Sequence, residues 1–309
     1  MSPALAAMLI GVAGTTFIHL SKAMMREGVQ WISDLRRGTR PESLRSRTWA
    51  FYVAAVVLNH TNPLWIIWAN HYAAPSYYTS MYGLGLIALL LYSVARIGET
   101  VPRPQILASI GIMAGTLLLG LSGLQRPVLD YATIRLGLAL SLIAGAIAIA
   151  TVAVLHAVLA GRSTITGATG TTGTMRASGA KAWGPNVGLE IRFGVLAGML
   201  SAFDPVLKGV AQSSGGPEQL LPAGLGAWLI FVLSFVLALA AFTVTNWGFF
   251  RGCRASVMIA AYGASYVTAP VLVQLLSLPE FSLSGAGWLG LALVNLAIPW
   301  MMRSARTTV

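Results

Sequence analysis

Three groups of polar side chains interrupt apolar runs in which such groups are costly to place. The first is Asn59, His60 and Asn62, next to Pro63. Two amides three residues apart share a helix face, and a proline beside them kinks the helix. They either hydrogen-bond a solute in a cavity or tie helices together, at about 1 kcal/mol each. His60 points away from them by about 100° around the helix. The second group is Asp204 and Lys208, in the favourable order for an ion pair one turn apart. Pro205 removes a helix hydrogen bond there and releases the Ser201 carbonyl. The group is read in two ways. Either it offers a charge and a carbonyl to a substrate or proton, or it is a self-neutralised structural pair. The third group is Tyr78 with Tyr82 and Tyr262 with Tyr266. Each pair is spaced i,i+4 and faces one way. Tyrosines at a membrane boundary usually form an aromatic belt. Tyr82 and Tyr266 lie too deep in their runs for that and are expected to line a substrate site. His19, Trp65, Trp68, Tyr72 and Trp228 are expected to serve packing or the belt.

Composition names the solvent of these groups. The 309 residues are 56% hydrophobic and 9% charged, with a mean hydropathy of +0.73. A soluble domain carries about 25% charged residues. This chain has too little polar surface to cover a soluble globule, so its solvent is a bilayer. The net charge of +11 does not imply nucleic acid. The basic residues sit in loops between apolar runs and build no basic face. The single cysteine, Cys253, excludes an intramolecular disulfide framework and a cysteine-built metal site. No metal-ligand spacing, phosphate loop or carboxylate pair points to a cofactor, and none is expected. Residues 1–21 lack a positive n-region, so a cleavable signal peptide is not expected.

The elements that must position these groups are apolar runs of about 20 residues, the length that spans a bilayer. They cover 3–25, 48–70, 73–95, 104–122, 135–160, 187–211, 224–248, 253–276 and 284–302. None alternates with period two, so all are expected to be helices, nine in number. Alternate connections hold every basic residue except Arg126, Arg135 and Lys208. Positive charge marks the cytoplasmic side. The N-terminus is therefore expected outside and the C-terminus in the cytoplasm, in the cytoplasmic membrane. Within 26–47, Met25, Val29, Ile32 and Leu35 recur at helical spacing. That segment is read either as an amphipathic helix on the inner leaflet or as a solvated basic loop. The stretch 161–186, rich in Gly, Thr, Ser and Ala, reads as a flexible linker.

Shifting the sequence by 184 residues aligns Asn62 with Asn246, Tyr78 with Tyr262 and Tyr82 with Tyr266. After a short gap, Glu99 meets Glu280, and Lys22 parallels Lys208. The repeat divides the chain into a first half, 1–125, a connecting helix and linker, 126–186, and a second half, 187–309. With an odd number of spans, the halves run in opposite directions. Inverted repeats of this kind recur in secondary transporters, which open a midplane site to each side alternately.

These features resemble the drug/metabolite transporter superfamily of EamA-like permeases. The carrying residues are the glycine-containing first helices ending in lysine, Gly11 to Lys22 and Gly194 to Lys208. They also include the stretches 62–82 and 246–266, and Glu99 and Glu280 before last helices containing Gly111, Gly115, Gly287 and Gly290. The resemblance implies an all-α carrier of ten spans, of which this chain lacks the second. NIPA-like magnesium transporters share that departure, and the run Asn62-Pro-Leu-Trp through Tyr82 is similar to theirs. At Asn246-Trp-Gly the chain departs from them, because their asparagine is followed by a lysine. The function expected is alternating-access transport of a small organic metabolite or drug. With few buried charges, that solute is expected to be neutral, zwitterionic or amphipathic. Partners are the lipid bilayer and the small molecule, with a second copy as a further candidate and no nucleic acid. Divalent-cation transport is one alternative, although such an ion wants several oxygen ligands and one buried Asp beside a Lys is a poor start. The other is an intramembrane enzyme, with Ser122 in Gly120-Leu-Ser-Gly as nucleophile and His156 as base.

Overall fold

A computed structural model of the chain describes residues 2–73, 75–122, 187–215, 220–277 and 282–304. Between the halves it also describes 137, 140, 142–149, 151–152 and 154–155. The described residues contain no strand. The principal helices are α1 (Pro3–Arg36), α2 (Arg45–Asn59), α3 (Asn62–Tyr72), α4 (Pro75–Ser80) and α5 (Tyr82–Tyr92). They continue with α6 (Arg103–Leu121), α7 (Val187–Ser213), α8 (Leu225–Phe250), α9 (Ala255–Ser277) and α10 (Gly285–Ser304). Among the described residues, seven stretches are long and apolar enough to cross a membrane, and Gly285–Trp300 is a shorter apolar helix. The chain is a helical integral membrane protein. Eight of the nine expected runs coincide with these stretches, while 135–160 is described only in part, as helix at 137, 140, 142–149, 151–152 and 154–155.

Two expected spans are interrupted. The run 48–70 breaks at His60 and Thr61, between α2 and α3. Pro63 has no N–H for the Asn59 carbonyl, so the helix must restart with proline in its first turn. His60 Nδ1 lies 2.8 Å from the Val56 carbonyl, and Thr61 Oγ1 donates to Leu58 O at 2.8 Å. These side chains satisfy carbonyls at the end of α2. The run 73–95 breaks at Met81. There Thr79 and Ser80 donate to the Ser76 and Tyr77 carbonyls and compete with continued helix. Pro205 and Pro270, by contrast, sit inside unbroken α7 and α9.

α1 is the reverse case, longer than its expected span. Its 34 residues extend about 51 Å at 1.5 Å each, against about 30 Å of hydrocarbon. The amphipathic stretch of 26–47 is thus a continuation of α1, not a separate surface helix. Its buried Met25, Val29 and Ile32 turn inward. Trp31 meets Phe51 of α2 at 4.6 Å between ring centroids.

Helices α7 and α9 form the buried centre, with α1 and α5 packed beside them. The α7–α9 approach depends on a missing side chain. A Cβ on Gly198 would lie 2.4 Å from the Tyr262 carbonyl oxygen. Outside this centre α8 turns Leu225, Leu229 and Val236 outward, 78%, 63% and 55% exposed. On a soluble protein that face would be an aggregation surface, and in a bilayer it meets lipid. Helices α6 and α10 pack against one another reciprocally. A Cβ on Gly115 would meet Gly290 O at 2.5 Å, and one on Gly290 would meet Gly115 O at 2.6 Å.

Candidate functional site

The interruption between α2 and α3 borders a cavity of about 260 Å³. Its polar lining includes Lys22 of α1, Asn59 and Asn62 at the α2–α3 break, Ser201 and Tyr262 of α7 and α9, and Thr245 of α8. Phe235 and Phe242 of α8 wall it with apolar surface. Exposed His60 and Leu239 stand at its rim, so it opens between the α2–α3 junction and α8. The break separates Asn59 and Asn62 onto two helices yet leaves both on the cavity. Asn59 accepts a long hydrogen bond from Ser21 at 3.4 Å.

Lys22 is the least expected member. It is only 3% exposed. Its ammonium donates to the Tyr82 hydroxyl at 2.5 Å and lies 3.2 Å from the Tyr262 ring centroid. Behind it, Tyr82 contacts Tyr266 at 4.4 Å and Tyr262 at 5.4 Å between centroids. His19 covers the other side of Tyr82 at 4.2 Å, with its Nδ1 2.7 Å from the Thr15 carbonyl. One tyrosine of each stretch thus meets Lys22, Tyr82 through its hydroxyl and Tyr262 through its ring face. Tyr262 lines the cavity, and Tyr82 and Tyr266 form the layer behind it. Tyr78 donates to Asn62 Oδ1 at 2.8 Å. The Tyr266 hydroxyl points toward Asn62 without a hydrogen bond of normal geometry.

Asp204 and Lys208 form a wholly buried ion pair on α7. The Lys208 ammonium also lies 4.0 Å from the Phe235 ring centroid. Neither residue lines the cavity. Asn70 donates to the Pro205 carbonyl at 3.1 Å and to Gln212 at 3.3 Å, tying α3 to α7 beside the pair. Asn246 also stands off the cavity. It accepts from the Tyr52 hydroxyl at 2.9 Å and donates to Phe242 O at 3.0 Å. The aligned Asn62 and Asn246 therefore have different tyrosine partners. Ser122 donates to Leu119 O at 2.7 Å, while His156 lies outside the described residues.

Three carboxylates escape a reading based on span interiors. All lie toward the arginine-rich helix ends. Buried Glu27 accepts from Tyr92 at 2.5 Å and faces Arg96 at 3.8 Å. Buried Glu190 grips Arg254 through its side chain, at 2.9 and 3.0 Å, and through its backbone N–H at 2.9 Å. Glu99 accepts from the backbone N–H groups of Ala255 and Ser256 at 2.9 and 3.0 Å, capping α9. Glu280 and the rest of 278–281 lie outside the described residues.

Lys22 was legible as the partner of Lys208 in the repeat but was counted with the loop charges. Its signal was the helical spacing of Met25, Val29 and Ile32, which carries α1 past it. Compared with family models, curated proteins and solved structures, the chain matches none.

Proposed function

We propose that the chain is a secondary carrier of a small organic solute, built as two inverted repeats that alternate around the 260 Å³ cavity. The observation that carries this reading is the origin of the lining. Lys22, Asn59 and Asn62 come from the first half, and Ser201 and Tyr262 from the second. A site shared between halves changes its exposure when one half rocks against the other. The α2–α3 break at the cavity supports the same reading, because broken helices present polar groups at membrane depth. So does matched packing: α1 packs on α5 as α7 packs on α9, and α6 meets α10 reciprocally. The proposed placement is the cytoplasmic membrane, with the arginine-rich ends in the cytoplasm.

The test is uptake by purified protein in liposomes, from mixed small metabolites, with and without a proton gradient. At least one organic solute enters faster than into protein-free liposomes. Asn62→Ala and Tyr262→Ala each slow that solute by about tenfold, the cost of one to two polar contacts. Equal entry of every solute with and without protein would overturn the reading.

A further inference from the structure

Among the described residues, the cavity holds one basic side chain, Lys22, with no carboxylate partner. The ion pairs among the described residues are Arg45–Glu42, Arg96–Glu27, Lys208–Asp204 and Arg254–Glu190, and Lys22 is in none of them. The buried Asp204 carboxylate of α7 is already bound by Lys208. Around the Lys22 ammonium stand a phenolic oxygen and an aromatic face, which attract a cation without neutralising it. Burying a charge in this way is costly unless a counter-charge arrives. The amides of Asn59 and Asn62 and the hydroxyl of Ser201 face the same space. They can satisfy the oxygens of an anion that the ammonium does not reach. Most of the remaining lining is apolar, Ile18, Met25, Pro63 and the rings and alkyl chains of α8, with His60 at the rim and the Thr245 hydroxyl already donating to Ala241 O. Such a wall favours an apolar or aromatic body.

We infer that Lys22 is the docking charge for a small organic monoanion, a carboxylate with an apolar or aromatic body. This inference rests on the carrier reading for its meaning as a substrate, but the site stands or falls by binding alone. A single unpaired cation neutralises a single negative charge, so a monoanion fits better than a dianion. A zwitterion lacks a partner for its ammonium, since Asp204 is committed. An organic cation is opposed by Lys22, which already occupies the Tyr262 ring face. The volume of about 260 Å³ lies just below the range of about 300–1,000 Å³ for drug-sized ligands, so the body is small.

The test uses the purified full chain in detergent and five probes at constant ionic strength. They are benzoate, phenylacetate, phenyl phosphate, benzamide and benzylammonium. Binding is read by calorimetry and by the shift in melting temperature. The two carboxylates bind at least tenfold more tightly than benzamide and benzylammonium, and more tightly than phenyl phosphate. Lys22→Arg keeps that ranking, and Lys22→Gln abolishes it. Benzamide binding as well as benzoate, a preference for benzylammonium, or no binding by any probe overturns the inference. So does an unchanged ranking in Lys22→Gln. Should Lys22→Gln fail to fold, photo-crosslinking decides the matter on the wild-type chain. There, 4-benzoylbenzoate labels peptides containing Lys22 or Tyr262, in competition with benzoate, and labelling confined to other peptides overturns the site. Liposome flux separates the two claims. Organic solutes that move without any preference for anions sink this inference and leave the carrier standing. Anions that bind and never cross do the reverse.

Discussion

At the scale of residues, the membrane sorts charge into groups that neutralise each other and a group that awaits a partner. Asp204 and Lys208 belong to the first kind, both fully buried and in contact with each other. Removing one partner of such a pair leaves an uncompensated charge, at a cost of about 3–5 kcal/mol. Asp204→Asn and Lys208→Met are each expected to destabilise the protein by about 3 kcal/mol. Asp204→Asn/Lys208→Met together should cost less than either alone. Thermal unfolding of the three variants checks this, and additive losses would show that the pair is not coupled. Cys253, in the connection between α8 and α9, makes a second test. Burial pushes its thiol up to about 12, helped by the nearby Glu190 carboxylate. At pH 8 the folded chain is therefore expected to resist a maleimide that reacts fully after denaturation, as mass spectrometry would register. The unfolded thiol ionises near its ordinary value of 9.0 and the folded one near 12, so folded stability falls as pH rises between them. The sequence made the buried Asp204–Lys208 pair legible because its spacing is local. The partners of Glu27, Glu190 and Glu99 come from distant stretches of the chain, and no spacing rule reaches across them.

At the scale of elements, apolar content located the helices and local chemistry decided their ends. Hydropathy alone extends 48–70 and 73–95 as single spans. Pro63 and the Thr79–Ser80 hydroxyls break them. The kink beside Pro63 was legible, and the break at Met81 was not, because serine and threonine inside a helix only sometimes bond back to the preceding turn. The length of α1 was half legible, since the apolar period runs on through Ile32 while arginines accumulate on the other face. Close helix approach also shows as glycine, but sequence does not say which glycines are contacts. Gly198→Ala is expected to destabilise the chain by about 1–3 kcal/mol, since its Cβ would force α9 away at Tyr262. Gly145→Ala, with nothing within 4 Å, is expected to be neutral or stabilising by up to about 1 kcal/mol. Melting temperatures of the two variants in one detergent compare them directly. A Gly198→Ala protein that melts with the wild type would remove the tight α7–α9 approach from the account.

At the scale of the whole molecule, the proposed carrier raises the question of what restrains opening toward the arginine-rich end. The contacts there join distant parts of the chain. Glu99, in the connection after α5, caps α9, and Glu190 of α7 holds Arg254 just before it. Two N–H groups in the first turn of α9 have no partner within the helix, and Glu99 supplies both. Hydrogen bonds to a charged group contribute about 1.5–3 kcal/mol each, so this latch restrains α9, the helix that carries Tyr262. A carrier that opens toward this end must release it. Glu99→Gln retains one acceptor oxygen and loses the charge, which shifts the opening equilibrium by about tenfold. Hydrogen exchange at the Ala255 and Ser256 amides is expected to rise by a similar factor. Exchange around Asn70 and Gln212, the tie at the other end, should stay unchanged. Unchanged exchange at Ala255 would mean that the latch lies elsewhere, with Glu190–Arg254 the next pair to break. A rise at both ends together would mean that Glu99 supports the whole bundle and gates neither side. Only the selective rise fits two halves that rock around the cavity, because alternation requires the two ends to open separately.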